Sequence, residues 1–351
     1  MPTIANPFVQ GKAVDLTSSI NIIPNRWGLI QQLGLFREEP KAQKTVQMLR
    51  RREGDAILID RNWDERNSNL VGGAKEYLTL PIPHFPVDDA ITPNDVDGVI
   101  DFESFMTGGN GLLTVDQVRA EKMDRIRRAH SLTLEYARAQ LIRDGSVYAP
   151  NNTVAINYYT EFGITRENVN VDLDSTTTNP KAQVEAVIAK LQDNLKNGEV
   201  VSDFIALCSP TFFSALTSNQ FVYESYQYFS QTQGAGVLNQ RLGSGQFDAR
   251  YRVFEYGGVL FVEVRGSVGG TPYVEEDKAY VFPRGVSDMF RTFYAPANRF
   301  STVNKVAQMS YYFEYLNRKD DIIEIMTETN FLNAVTRPEL IITLTNAEVS
   351  E

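Results

Sequence analysis

The sequence predicts a mixed α+β fold, and three observations carry that reading. One amphipathic segment is long enough to be a spine helix, two β-patterned runs flank a polar insert, and short apolar runs bounded by glycine turns fill the second half. At 351 residues the chain has room for two or three domains of roughly 100–200 residues each.

Residues 1–43 begin irregularly, with Pro2, Pro7 and Pro24, and then offer one short helix over 26–33. Asn25 is placed to cap it and Gly34 to end it, and Trp27, Ile30 and Leu33 form a single apolar stripe. A helix this short is unstable alone, so it is expected to dock on something else. Two strands are expected at about 44–60 and 76–87, joined by a polar, glycine-ended tip over 61–73. Pro81 and Pro83 remove two N–H groups from the same side of the returning strand, which marks an edge or protruding hairpin. Such a hairpin has too little core of its own and must lie on a neighbouring domain or chain.

The clearest helix runs over about 114–143, with Thr114 as N-cap and Gly145 just past its end. Val115, Val118, Met123, Ile126, Ala129, Thr133, Tyr136, Ala137 and Leu141 share one arc, and Glu121, Asp124, Arg128, Glu135 and Arg138 fall opposite. Arg119 and Lys122 sit on the apolar arc, so the N-terminal turns are expected either to be less buried or to meet a polar partner. At 1.5 Å per residue the helix spans about 45 Å, more than one small core needs. Strand–turn–strand is expected over 147–159, a loop over 171–180, a helix over 181–195, a buried strand over 204–208 and a helix over 210–216. Strands follow at 251–256, 259–264 and 279–282, then near 307–316, 320–327 and 340–344.

Composition excludes several function classes. With 34 basic against 44 acidic side chains and a net charge of −10, tight wrapping of nucleic acid is not expected. Residues 1–145 carry 18 basic and 20 acidic groups and residues 146–351 carry 16 and 24, so the acidity sits in the second half. One cysteine, Cys208, rules out an internal disulfide framework, and two histidines 46 residues apart rule out a short-spacing zinc motif. No window approaches 18 consecutive apolar residues and no secretory leader pattern opens the chain, so a non-exported, membrane-free protein is expected.

Chemistry-bearing motifs are sparse. His84 lies between Pro83 and Phe85 on the protruding strand and His130 at the edge of the helix's buried arc; both read as structural hydrogen-bonders rather than general bases. Cys208 ends a buried strand and reads as a core thiol. The glycine clusters at 108–111, 234–236 and 266–270 lack a following Lys-Ser/Thr and read as turns. No catalytic, cofactor-binding or metal-binding residue is assigned. The candidates are contact residues: Trp27 on the short helix; Arg50, Arg51 and Arg52, whose alternation on a strand favours pairing with acidic groups over phosphate binding; Arg61, Trp63 and Arg66 at the tip; and Tyr223, Tyr226 and Tyr228 in an aromatic run lacking basic neighbours.

Six segments in order resemble the major capsid proteins of lambda-like tailed phages, the capsid protein E family. They are 24–36 (Pro-Asn-Arg-Trp-Gly-Leu-Ile-Gln-Gln-Leu-Gly-Leu-Phe), Pro81-Ile82-Pro83-His84, Asp95-Val96-Asp97-Gly98-Val99, 130–136 on the helix, 290–296 (Phe-Arg-Thr-Phe-Tyr-Ala-Pro) and Thr336-Arg337-Pro338-Glu339. Two departures stand out: Lys305-Val306-Ala307-Gln308 where the family pattern has a Gly-Pro turn, and Thr329-Asn330-Phe331-Leu332 where it has Ser-Asn-Pro.

The resemblance implies the Hong Kong 97-like capsid fold. It implies an N-terminal arm (1–43), an extended hairpin loop (44–90), a peripheral domain (91–164 and 301–351, with the spine helix) and an axial domain (165–300). It further implies a non-enzymatic virion protein, assembled in the host cytoplasm, that forms pentamers and hexamers and closes into an icosahedral shell around double-stranded DNA. The partners it implies are other copies of the chain, a separate scaffolding protein and a portal protein, and it allows a decoration protein at threefold junctions. Packaged DNA would be held without sequence-specific binding, and no cofactor or membrane is implied. A cellular nanocompartment shell shares this fold and is the alternative; an α+β hydrolase would need paired carboxylates, or His84 or His130, in a cleft.

Overall fold

The computed structural model describes residues 14–22, 28–51, 75–97, 114–151, 156–175, 177–195, 199–225, 251–317 and 322–346. The N-terminal part contains β1 (Val14–Asp15), α1 (Thr17–Ile22), α2 (Leu29–Gln32) and β2 (Arg37–Pro40). The expected short helix is a single turn whose N-cap is Gly28 rather than Asn25. Ile30 and Leu33 are buried, as the stripe requires, and Gly34 ends the turn at φ +61°.

The hairpin is formed by β3 (Thr45–Arg51) and β4 (Lys75–Pro81), and β5 (His84–Ile91) follows. The sequence suggested one continuous strand over 76–87; there are two, with separate partners. Ile82, between the two prolines, donates its N–H to the Lys44 carbonyl at 2.9 Å, and past Pro83 the chain leaves the hairpin to join a sheet. The missing N–H groups of Pro81 and Pro83 make this the natural place to change partners.

The spine helix α3 (Val115–Asp144) keeps its expected ends. Thr114 accepts from the Gln117 N–H in a capping box, and Gly145 takes φ +67°. Its buried face is rotated from the expected arc. Val118, Met123, Ile126, Ala137 and Leu141 are buried, but so are Glu135 and Arg138, while Val115 and Ala129 are exposed. Of the strand–turn–strand expected over 147–159, the described residues show a bridge from Ser146 to Asn157, and 152–155 lie outside them. There the chain turns into α4 (Tyr158–Phe162), capped by the Asn157 side chain.

Next come β6 (Asn168–Asn170), α5 (Pro180–Asn194), β7 (Asp203–Cys208) and α6 (Pro210–Ser218), followed by β8 (Val253–Tyr256), β9 (Val259–Glu263), β10 (Ser267–Val268) and β11 (Thr271–Pro272). The last strands are β12 (Lys278–Arg284), β13 (Phe290–Tyr294), β14 (Tyr311–Asn317), β15 (Ile322–Val335) and β16 (Ile342–Thr345).

Two six-stranded sheets organise these elements. In the first, the order is β1-β14-β15-β13-β2, with β5 also on β15. The 14 residues of β15 are its axis: Ile322–Glu328 pair with β14, Phe331–Val335 with β13, and Ile323–Asn330 with β5. The second sheet has the order β6-β16-β12-β7-β9-β8. Strand β13 thus lies in the first sheet and β16 in the second. In β7, Ile205 and Leu207 enter one core with α2, the hairpin root and Ile142 of α3. Ala206 and Cys208 enter another with Val184, Val187 and Leu191 of α5 and Phe212 of α6. Period-2 alternation between two apolar layers explains the unbroken apolar run of that strand.

Candidate assembly surfaces

The hairpin is rooted in the core chiefly by two buried residues. Val46 and Leu80 face each other across β3 and β4 and are both buried in the main cluster with Leu29 and Ile30. Lys44 Nζ adds a 2.5 Å bond to Asn298 Oδ1 at the root. Two residues outward from Val46, Met48 is half-buried and, with Leu78 across the ladder, still packs against that cluster. Arg50 and Arg51 lie on β3 in register with Glu76 and Lys75. Trp27, Arg52, Arg61, Trp63, Arg66, Tyr226 and Tyr228 fall outside the described residues. Tyr223 is exposed.

The N-terminal segment is held to the spine by a carboxylate the sequence pattern placed in solvent. Glu135 Oε1 accepts the Ile30 N–H at 2.7 Å and Oε2 accepts the Gln31 N–H at 3.2 Å. A side chain at Gly28 would put its Cβ 2.2 Å from Glu135 Cδ, so only glycine lets the turn approach so closely. Burial pushes the Glu135 carboxyl upward, opposed by these N–H groups and by the nearby Arg138. Arg138, equally buried, donates to Glu38 at 3.0 Å and to Thr292 Oγ1 at 3.0 Å, with its guanidinium 4.9 Å from the Phe36 ring centroid. Both residues are buried because α2 and β2 pack on that face, about 100 positions away in the chain.

At its other end α3 meets the first sheet through charge. Arg119 Nε lies 2.7 Å from Glu314 Oε1, which also accepts from the Tyr312 hydroxyl at 2.9 Å. Lys122 reaches Asp89 at 3.3 Å and Asp95 at 3.4 Å, and Arg125 reaches Asp89 at 2.8 Å. Arg119 and Lys122 therefore meet polar partners, one of the two outcomes that their place on the apolar arc allowed. The Asp89 carboxyl is held below its usual range: burial would raise it, but the Ala90 N–H, Arg125 and Lys122 outweigh burial.

The two histidines sit in structural networks. His84 Nδ1 lies 2.7 Å from Asn330 Oδ1 and 3.0 Å from Glu328 Oε2. The Glu328 hydrogen bond raises the imidazole pKa against a smaller opposing burial effect. His130 Nδ1 lies 3.1 Å from Ser310 Oγ, which also accepts from Arg127 at 2.8 Å. This Ser–His pair is no nucleophile–base pair, because Ser310 is fully buried and His130 is 4% exposed. Burial and the Arg127 charge push the His130 pKa down to about 4. Cys208 is buried and its thiol pKa is pushed upward by burial. Among the described residues no group of His, Cys, Asp and Glu is arranged to hold a metal ion, and no helix is long and apolar enough to cross a membrane.

One surface escaped the sequence reading. Phe300 is fully exposed and Val303 and Val306 are mostly so, within a single loop beside the hairpin root. The available signal was charge: no acidic residue occurs between Asp288 and Glu314.

Residues 12–346 match the family described as phage major capsid protein E. The major capsid protein of Pseudomonas phage KPP10 is 40% identical, over 97% of this chain and 98% of that one. That of Salmonella phage Felix O1 is 27% identical, over 93% and 94%. Among solved structures, a protein described as a capsid protein of an Escherichia coli CFT073 prophage superposes with a TM-score of 0.50 at 13% identity, covering 78% of this chain and 80% of that chain. Its α+β fold is the one seen here. With a family match over nearly its whole length and a 40% identical relative aligned end to end, the chain belongs to the phage major capsid protein E family.

Proposed function

We propose that this chain is the repeating subunit of a phage head: many copies form pentamers and hexamers that close into an icosahedral shell around double-stranded DNA. The observation that carries this reading is the 40% identity to a phage major capsid protein over 97% of the chain. The role is structural rather than enzymatic. Self-association through repeated contacts of modest size accounts for a strong container without any single tight interface. The net charge of −10 suits a wall that encloses nucleic acid without gripping it.

The first sheet with α3 forms the peripheral domain, and the second sheet with α5 and α6 forms the axial domain. Strand pairing favours assigning β13 to the former and β16 to the latter. The hairpin is the extended loop that lies over a neighbouring subunit, consistent with a root in which Val46 and Leu80 are the fully buried members and Met48 and Leu78 pack only in part against the core. Further partners are a scaffolding protein, a portal protein and, at threefold junctions, a decoration protein. Light scattering and negative-stain microscopy of the protein, expressed with and without the neighbouring virion genes, test the reading. Rings of five or six or closed shells are expected, and a monomer under every condition would refute it.

A further inference from the structure

We propose that the loop 299–306, through Phe300, Val303 and Val306, is a contact between adjacent copies of this chain. The proposal rests on the shell-subunit reading above and names one of the contacts that reading needs. Phe300 is fully exposed, Val306 is 66% exposed and Val303 51%. A cluster of large apolar side chains shown to water marks a surface that becomes covered.

The loop is held by its own hydrogen bonds and by a buried threonine. Thr302 Oγ1 donates to the Ala297 carbonyl at 2.8 Å, and the N–H groups of Thr302 and Val303 donate to the Arg299 carbonyl at 3.1 Å each. The Arg299 guanidinium packs over the rings of Phe313 and Tyr315, 4.3 and 5.2 Å from their centroids. Asn304 supplies the turn at φ +60°, a conformation asparagine tolerates better than most residues. Thr302 is buried and holds the backbone, while Phe300, Val303 and Val306 are exposed. A surface fixed in this way has little ordering entropy left to lose on contact.

Charge identifies the occupant as a second copy. The chain carries 44 acidic residues and a net charge of −10, yet none of those acids falls between Asp288 and Glu314, where Arg291, Arg299 and Lys305 are the only charged residues. Acidic copies repel one another over most of their surface, and a loop that carries Arg299 and Lys305 but no acid is complementary in charge to such a copy. Copy number agrees: in a wall made of one chain, the partner present in equal number at every position is the chain itself. The loop also adjoins the root of the hairpin, since Asn298 accepts from Lys44 and the Ala307 N–H donates to the Lys41 carbonyl at 3.0 Å.

Hydroxyl-radical footprinting read by mass spectrometry tests the contact on shells from co-expression and on subunits dissociated from them. Oxidation of Phe300 is expected to be at least fivefold slower in the shell than in the free subunit. Equal rates overturn the proposal, as does protection already present in the free subunit, or protection that appears only when a second protein is added to the shell. In a second arm, the double substitution Phe300→Ser, Val306→Ser is expected to leave the subunit's thermal midpoint unchanged and to lower shell yield at least tenfold. Wild-type yield from the folded variant overturns the contact. If the wild-type chain forms no rings or shells at all, the shell-subunit reading fails first, and this contact fails with it.

Discussion

At the scale of single residues, the Glu135 carboxylate and the absent side chain at Gly28 are two halves of one device. Replacing Glu135 by Ala leaves the Ile30 and Gln31 N–H groups without their acceptor, at a cost of about 1–3 kcal/mol for unsatisfied buried donors. Gly28→Ala is also destabilising, because φ there is an ordinary −76° and only the 2.2 Å approach to Glu135 forbids a Cβ. The double variant loses less than the sum of the two, since removing the carboxylate makes room for the methyl group; a double-mutant cycle in urea checks this. The histidines bear opposite signs. His130, held at about 4 when folded against about 6.5 unfolded, contributes stability that is lost as pH falls through that interval, up to about 3 kcal/mol. His84 is raised, so its contribution is complete below about pH 6.5 and is lost as pH rises through its folded pKa. Thermal midpoints between pH 4 and 8.5 are expected to show a flatter acid limb for H130N and a flatter alkaline limb for H84Q. The burial of Cys208 at the end of an apolar strand was legible from neighbouring residues alone. Glu135 was not, because helical periodicity cannot register a partner some 100 positions away.

At the scale of elements, legibility followed the locality of the signal. Helix α3 was read to within a residue at each end because Thr114, Gln117 and Gly145 are local caps. The division between β4 and β5 was missed, although Pro81 and Pro83 had marked the place, because only long-range pairing shows that β5 belongs to β15. Strand β15 was expected to end near 327 and runs to Val335 because it exchanges β14 for β13 partway along. The hairpin divides into a root that contributes to folding and a tip available for other work. Leu80→Ala, at a buried root position, is expected to destabilise the subunit by about 2–5 kcal/mol in chemical denaturation. Deleting 61–74 and closing the gap with glycines is expected to leave the subunit's stability unchanged while blocking shell closure, as measured by sedimentation. Normal shells from that deletion would show that the tip has no part in assembly.

At the scale of the whole molecule, the balance is between repulsion spread over an acidic surface and attraction confined to a few patches. With a net charge of −10 per copy, the protein concentration needed for assembly is expected to fall as NaCl rises from 50 to 500 mM, since screening shortens the range of repulsion to a few ångströms and leaves apolar contacts intact. Light scattering at stepped concentrations measures it, and a threshold that rises with salt would mean that ion pairs, not apolar patches, hold the copies together. Neither the two-sheet body nor the hairpin root explains why a folded subunit would carry an uncovered Phe300; association with its own copies explains it. A cryo-electron microscopy map of the particles formed on co-expression with the virion genes tests this most directly. The account predicts closed shells of fivefold and sixfold rings in which each hairpin lies over the adjacent copy. Hairpins folded back on their own subunits, or particles lacking such rings, would contradict it.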